Sequence, residues 1–75
     1  MTDHVIFGGT VEGRRLSEIL SGKGRRLVVC VATEYGEELI KENGSVTVKC
    51  GRLDAGQMTS LVRECSPLSV IDATH

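Results

Sequence analysis

Strand-like and helix-like segments alternate regularly along this chain, and that alternation predicts an α/β fold built on a parallel sheet. Two further observations support it. The run Leu27 to Ala32 reads LVVCVA, apolar without a break, as a strand covered by helices on both faces is. The segments between such runs carry apolar residues at i, i+3, i+4 spacing and end in glycine or proline.

The first strand is expected at His4 to Phe7, ending in Gly8-Gly9. A helix follows from about Glu12 to Ser21, with Leu16, Ile19 and Leu20 as its apolar stripe and Gly22 and Gly24 around its stop. The second strand is Leu27 to Ala32. A short helix is expected from about Tyr35 to Glu42, with Tyr35, Leu39 and Ile40 turned inward and Asn43-Gly44 ending it. In the third strand, Ser45 to Cys50, Val46 and Val48 alternate with Thr47 and Lys49, which places it at a sheet edge. The third helix opens at Asp54, with Gln57 at capping-box spacing, and Met58, Leu61, Val62 and Cys65 form its apolar face. Ser66-Pro67 stops it, and a last strand, Leu68 to Ile71, runs into Asp72-Ala73-Thr74-His75.

The 75 residues are 40% hydrophobic and 25% charged with a net charge of -1, a composition too apolar for a disordered tail. Neither the overall balance nor any local run of basic residues favours nucleic acid or anionic lipid. The longest apolar stretch falls far short of the roughly 20 residues of a membrane span, and Met1 to His4 lack the basic region of a signal peptide. A cytoplasmic protein is expected. Three cysteines, Cys30, Cys50 and Cys65, match no zinc spacing and read as buried, reduced thiols. No metal site is expected.

These elements make a Rossmann-like sheet of four strands, expected in the order 3-2-1-4, with flanking helices. The fourth strand has no helix behind it, which leaves one sheet face partly uncovered and open to self-association. The chain is accordingly expected to be the front part of a longer protein, with residues 1–75 forming one dinucleotide-binding lobe.

Ligands of such sheets bind beyond the carboxyl ends of the strands, and four polar clusters lie there. Gly8-Gly9-Thr10-Val11-Glu12-Gly13 follows a strand and opens a helix, the setting in which backbone N–H groups and the helix dipole receive a phosphate. It departs from G-x-G-x-x-G in having Thr10 third, a residue whose hydroxyl can donate to a phosphate; a plain tight turn is the alternative. Glu34, in the Thr33-Glu34-Tyr35-Gly36 cluster, lies 21 residues beyond Gly13. It stands where an acidic residue binds the ribose of NAD, or else it favours a helix N-terminus. For NADP, Thr33 and Arg52 supply hydrogen bonds and positive charge to the 2′-phosphate. In the Gly51-Arg52-Leu53-Asp54 cluster, Asp54 is read as a helix cap and Arg52 as the ligand candidate. Asp72, Thr74 and His75 fall beside the first strand's end, where a nicotinamide meets its substrate. His75 is the candidate proton donor, whereas His4 lies at the opposite end of the sheet.

The stretches IFGGTVEGRRLSEIL (Ile6 to Leu20), VATEYGEELI (Val31 to Ile40), GRLDAGQM (Gly51 to Met58) and VIDATH (Val70 to His75) together resemble the amino-terminal portion of the precorrin-6A reductase and cobalt-precorrin-6A reductase family. The resemblance implies an oxidoreductase of cobalamin biosynthesis. With NADPH, or NADH, it would reduce a double bond of a corrin-precursor macrocycle, a tetrapyrrole, to the 6B form. It also implies that Gly8, Gly9 and Thr10 form the first cofactor loop, Thr33, Glu34, Tyr35 and Gly36 the second, and Gly51 and Arg52 the third. Asp72, Thr74 and His75 would line the nicotinamide end. The family is two-lobed and its DATH motif runs on into a proline beyond His75. The resemblance therefore implies a truncated half of such a protein, with the second lobe and most of the substrate site outside these residues, and the isolated chain is expected to be inactive. Two other readings stand beside this one: a nucleotide-sensing regulatory domain without catalysis, and an α/β interaction module with no ligand.

Overall fold

The computed structural model describes residues 2–8, 10–33, 40 and 44–73. Its strands are β1 (His4–Phe7), β2 (Leu27–Val31), β3 (Val46–Cys50) and β4 (Ser69–Asp72); its helices are α1 (Val11–Gly22) and α2 (Ala55–Cys65). All pairings are parallel and the order is β3-β2-β1-β4, the Rossmann-like arrangement expected. His4 to Phe7 pair with Leu27 to Cys30 on one side and with Ser69 to Asp72 on the other. The helix expected over 35–42 lies outside the described residues except for Ile40, which is buried in the core as anticipated.

Side chains alternate between the two faces of a strand, and the core divides accordingly. Ile6, Leu27, Val29, Val31 and Val46 make one cluster, against which Leu16 and Leu20 of α1 pack. Val5, Phe7, Val28 and Cys30 make the other, under Leu61, Met58, Val62 and Cys65 of α2. The chain steps from β1 to β2 in one direction and from β3 to β4 in the other. Crossovers of one hand therefore place α1 and α2 on opposite faces. All five β2 residues are buried, which explains a run without polar alternation. Each fully buried valine or isoleucine contributes about 1.5–3 kcal/mol.

Both helices begin at side-chain caps. Thr10 precedes α1 and accepts from the Gly13 N–H. Asp54 precedes α2 and accepts from the Gln57 N–H at 2.8 Å, while Gln57 Oε1 accepts from the Asp54 N–H at 2.9 Å. That is the capping box expected from the spacing.

The stripe of α1 departs from expectation. Its buried residues are Gly13 and Ser17, with Leu16 and Leu20 beside them, while Ile19 is 55% exposed. The cause is Gly13. A Cβ built there would lie 2.5 Å from the Gly8 carbonyl oxygen, so the helix reaches the β1 turn only where it has no side chain. Ile19 then falls about 200° around the axis from Ser17, on the solvent side. Ser17, buried, donates its hydroxyl to the Arg14 carbonyl at 2.8 Å.

β4 starts one residue later than expected and includes Asp72, because ladder pairing to all four residues of β1 sets its length, not side-chain polarity. Leu68 lies just outside it at 75% exposure, and Val70 within it is 47% exposed, so apolar surface is uncovered along this edge. β3 is the other edge, as its alternation suggested. There Cys50 is exposed, contrary to the expectation of a buried thiol, because the outermost strand has no neighbour beyond it; Cys30 is buried, Cys65 half-buried, and no disulfide joins the three. Among the described residues no helix is long and apolar enough to cross a membrane.

Two glycine substitutions separate close approach from helix propensity. Gly22→Ala, with open space around it, should stabilise the fold by about 0.4–1 kcal/mol. Gly13→Ala should destabilise it by about 1–3 kcal/mol, lowering the unfolding midpoint by roughly 4–8 °C per kcal/mol. Thermal unfolding of both variants checks the pair of opposite signs.

Candidate functional site

Three of the four strand ends open onto one cleft of about 360 Å³, within the size range of small-molecule sites. β1 contributes Phe7 and Gly8, β2 contributes Cys30 and Val31 with Ala32 and Thr33 beyond it, and β3 is followed into the cleft by Gly51, Arg52 and Leu53. Thr10, at the start of α1, and Met58, from α2, complete the lining. Gly8 and Gly51 end their strands with φ of 138° and 139°, backbone that L side chains rarely adopt. In both the N–H still donates to the neighbouring strand, to the Cys30 and Val31 carbonyls respectively, each at 2.9 Å. The chain therefore turns away sharply while the ladder stays intact to its last bond.

Gly8, Thr10, Thr33, Gly51 and Arg52, all proposed from the sequence, are thus brought together. Asp72 is not among the lining residues; it lies exposed at the end of β4, opposite Phe7 in the register. Gly9, Glu34, Tyr35, Gly36, Thr74 and His75 lie outside the described residues. His4 is at the far end of the sheet, its Nδ1 2.6 Å from the Ser69 hydroxyl. Among the described lining residues Arg52 carries the one ionised side chain, exposed at the rim, and no carboxylate opposes it. The cleft is apolar below and positive at its edge, with the N-terminal end of α1 at one side, and such an arrangement accepts a flat or apolar group bearing an anion. Nothing in the described part assembles three or more His, Cys, Asp or Glu into a metal centre.

Thr10 is differently employed from the expectation. Its hydroxyl donates to the Ala73 carbonyl at 2.9 Å and accepts from the Gly13 N–H at 3.3 Å. A hydroxyl has one hydrogen, so in this geometry the proton expected to reach a phosphate is committed to the backbone after β4.

Sequence reasoning missed the apolar floor. Phe7, Cys30, Val31, Ala32 and Leu53 stood as strand or loop positions, and Met58 as core. Met58 both packs on the α2-side cluster and lines the cleft. The available signal was their position: each sits at a strand's carboxyl end or on the helix facing it.

Comparison with known proteins bears on this geometry. The family model described as precorrin-6x reductase CbiJ/CobK matches residues 4–75. Cobalt-precorrin-6A reductase of Salmonella typhimurium is similar to the chain, 36% identical over 73 residues. That alignment covers 97% of this chain but 27% of the relative, so the chain spans about a quarter of the relative's length. No solved structure matches.

The cleft floor holds one thiol with a displaced titration. Burial pushes Cys30 above the usual thiol range; Lys49 pulls it back in part, and Cys65 adds to the rise. The folded protein then keeps the Cys30 proton at pH values where the unfolded chain has lost it. Stability is complete below the ordinary thiol pKa of about 8.5 and falls as pH rises beyond it. Unfolding midpoints measured from pH 7 to 10 should decline over the alkaline part, and Cys30→Ala should flatten that decline whatever its effect at pH 7.

Proposed function

The chain belongs to the precorrin-6x reductase family, and on that premise we propose that it is the dinucleotide-binding lobe of an NAD(P)H-dependent reductase of a corrin-precursor macrocycle. The substrate is precorrin-6A or its cobalt-containing form, reduced to the 6B form. The observation that carries the reading is the single cleft at the carboxyl ends of β1, β2 and β3, with an apolar floor and Arg52 at its rim.

The residues present fit such a cofactor. Gly8 brings bare backbone to the cleft beside the N-terminal end of α1, where a pyrophosphate is received by N–H groups and the helix dipole. Gly9 and Thr10 belong to that loop. Phe7, Leu53 and Met58 offer apolar surface to a ring. Thr33 and Arg52 face the same space and suit a 2′-phosphate, which favours NADPH over NADH; Glu34, Tyr35 and Gly36, next in the sequence, are assigned with Thr33 to the cofactor from the family resemblance. Asp72 and Thr74 are assigned to the nicotinamide end, and His75 to the proton donor, from the same resemblance; Asp72 itself closes β4 outside the cleft lining. The bound nicotinamide supplies the hydride. This lobe's own part is to hold the dinucleotide extended across the strand ends and to exclude water from its apolar half.

Thermal unfolding of the chain with NADPH, with NADH and without ligand tests this reading. Stabilisation of about 2.7 kcal/mol is expected at one hundred times the dissociation constant, larger with NADPH than with NADH at equal concentration. Arg52→Gln should weaken NADPH about tenfold or more, the worth of a charge-assisted hydrogen bond, and leave NADH unchanged. Absence of any shift with either dinucleotide, at millimolar concentration, counts against the lobe assignment. Substrate-dependent NADPH oxidation by the longer protein that contains this lobe separates a reductase from a nucleotide sensor.

A further inference from the structure

We propose that Thr10 is a positioning residue, whose hydroxyl holds the segment leaving β4 in register with the turn leaving β1, so that it serves the cleft through Ala73. The functional consequence rests on the dinucleotide reading above; the clamp itself rests on geometry alone.

Ala73 is tied through both of its backbone polar groups. Its N–H donates to the Phe7 carbonyl at 2.8 Å, and its carbonyl accepts from the Thr10 hydroxyl at 2.9 Å. Its side chain packs against the α1-side core. The same hydroxyl oxygen accepts from Gly13, the glycine that touches the Gly8 carbonyl region in the β1 turn. One side chain in the turn after β1 therefore joins the first turn of α1 to the residue after β4, across 63 positions of sequence.

The tie has a physical purpose. β4 is an edge strand of four residues, paired on one side only. The exit of a short edge strand belongs to the least stable part of a sheet and opens readily. A part-buried hydrogen bond from a helix cap holds it where ladder pairing alone is weakest. Ala73, with Asp72 before it, is then held at a set distance from the turn after β1, so two segments far apart in sequence are kept together at one side of the cleft. Both hydrogen-bonding roles of the Thr10 hydroxyl are filled by protein, so its service to a ligand runs through this arrangement.

Amide hydrogen exchange of the chain by NMR, first without ligand, reads the clamp at the Ala73 N–H with the Val29 N–H as internal reference. Thr10→Ser keeps both bonds and should exchange like the parent. Thr10→Val loses both, and Thr10→Asp still caps α1 but cannot donate to Ala73. Both should accelerate Ala73 about three- to tenfold relative to Val29, the effect of one lost hydrogen bond. Thr10→Asp keeps the helix start intact, so a destabilised α1 does not explain its result. Ala73 exchange unchanged in Thr10→Asp and Thr10→Val overturns the proposal.

The NADPH complex gives the second reading. Positioning predicts that Ala73 stays protected when the parent chain is saturated, and that Thr10→Val weakens NADPH whereas Thr10→Ser retains it. Faster Ala73 exchange on saturation would mean the hydroxyl has moved to the ligand, and that also overturns the proposal. A parent chain that binds no dinucleotide, with Ala73 still loosened in Thr10→Val, defeats the dinucleotide reading and leaves the clamp supported.

Discussion

β1 is hydrogen-bonded along both edges, to β2 and to β4, and Val5 and Ile6 within it lose all contact with solvent. Four residues thus set the reference for everything else. The register with β2 fixes where Cys30 and Val31 end, the register of β2 with β3 fixes where Cys50 ends, and the register with β4 fixes Asp72. Because the strands are parallel and in step, their carboxyl ends arrive at one level. The loops that follow are brought to one rim by pairing, whatever their separation in sequence.

The close approach at Gly13 is the second constraint, and it follows from the first. The turn after Phe7 must lead at once into a helix lying on the sheet, and the Gly8 carbonyl leaves no room for a side chain at Gly13. A helix seated that deeply puts its N-terminus beside the cleft, and its cap, Thr10, within reach of the residue after β4. Packing and site geometry are the same fact at this corner. The helix gives up propensity at Gly13 and exposes Ile19 in order to sit there.

Electrostatics at the cleft is simple among the described residues: one guanidinium, no carboxylate, and a floor of apolar side chains. Arg52 is exposed at the rim, so its charge meets a bound anion at short range and is screened by salt beyond it. Burial acts instead on Cys30, which resists ionisation because the strand ends exclude water around it.

The strands, the capping box at Asp54 and Gln57, the sheet order and the edge position of β3 were legible in the sequence. Each depends on local periodicity, local capping chemistry or the handedness of crossovers. The membership of Gly8, Thr10, Thr33, Gly51 and Arg52 in one cleft was anticipated too, since strand ends in a parallel sheet converge. The boundaries of β4, the exposure of Ile19 and Cys50, the apolar floor and the bond from Thr10 to Ala73 were decided by tertiary structure alone. They turn on how closely one element approaches another and on which acceptor lies within reach of a single proton. Periodicity carries no record of such distances, because partners as distant in sequence as Thr10 and Ala73 meet only when the sheet has formed.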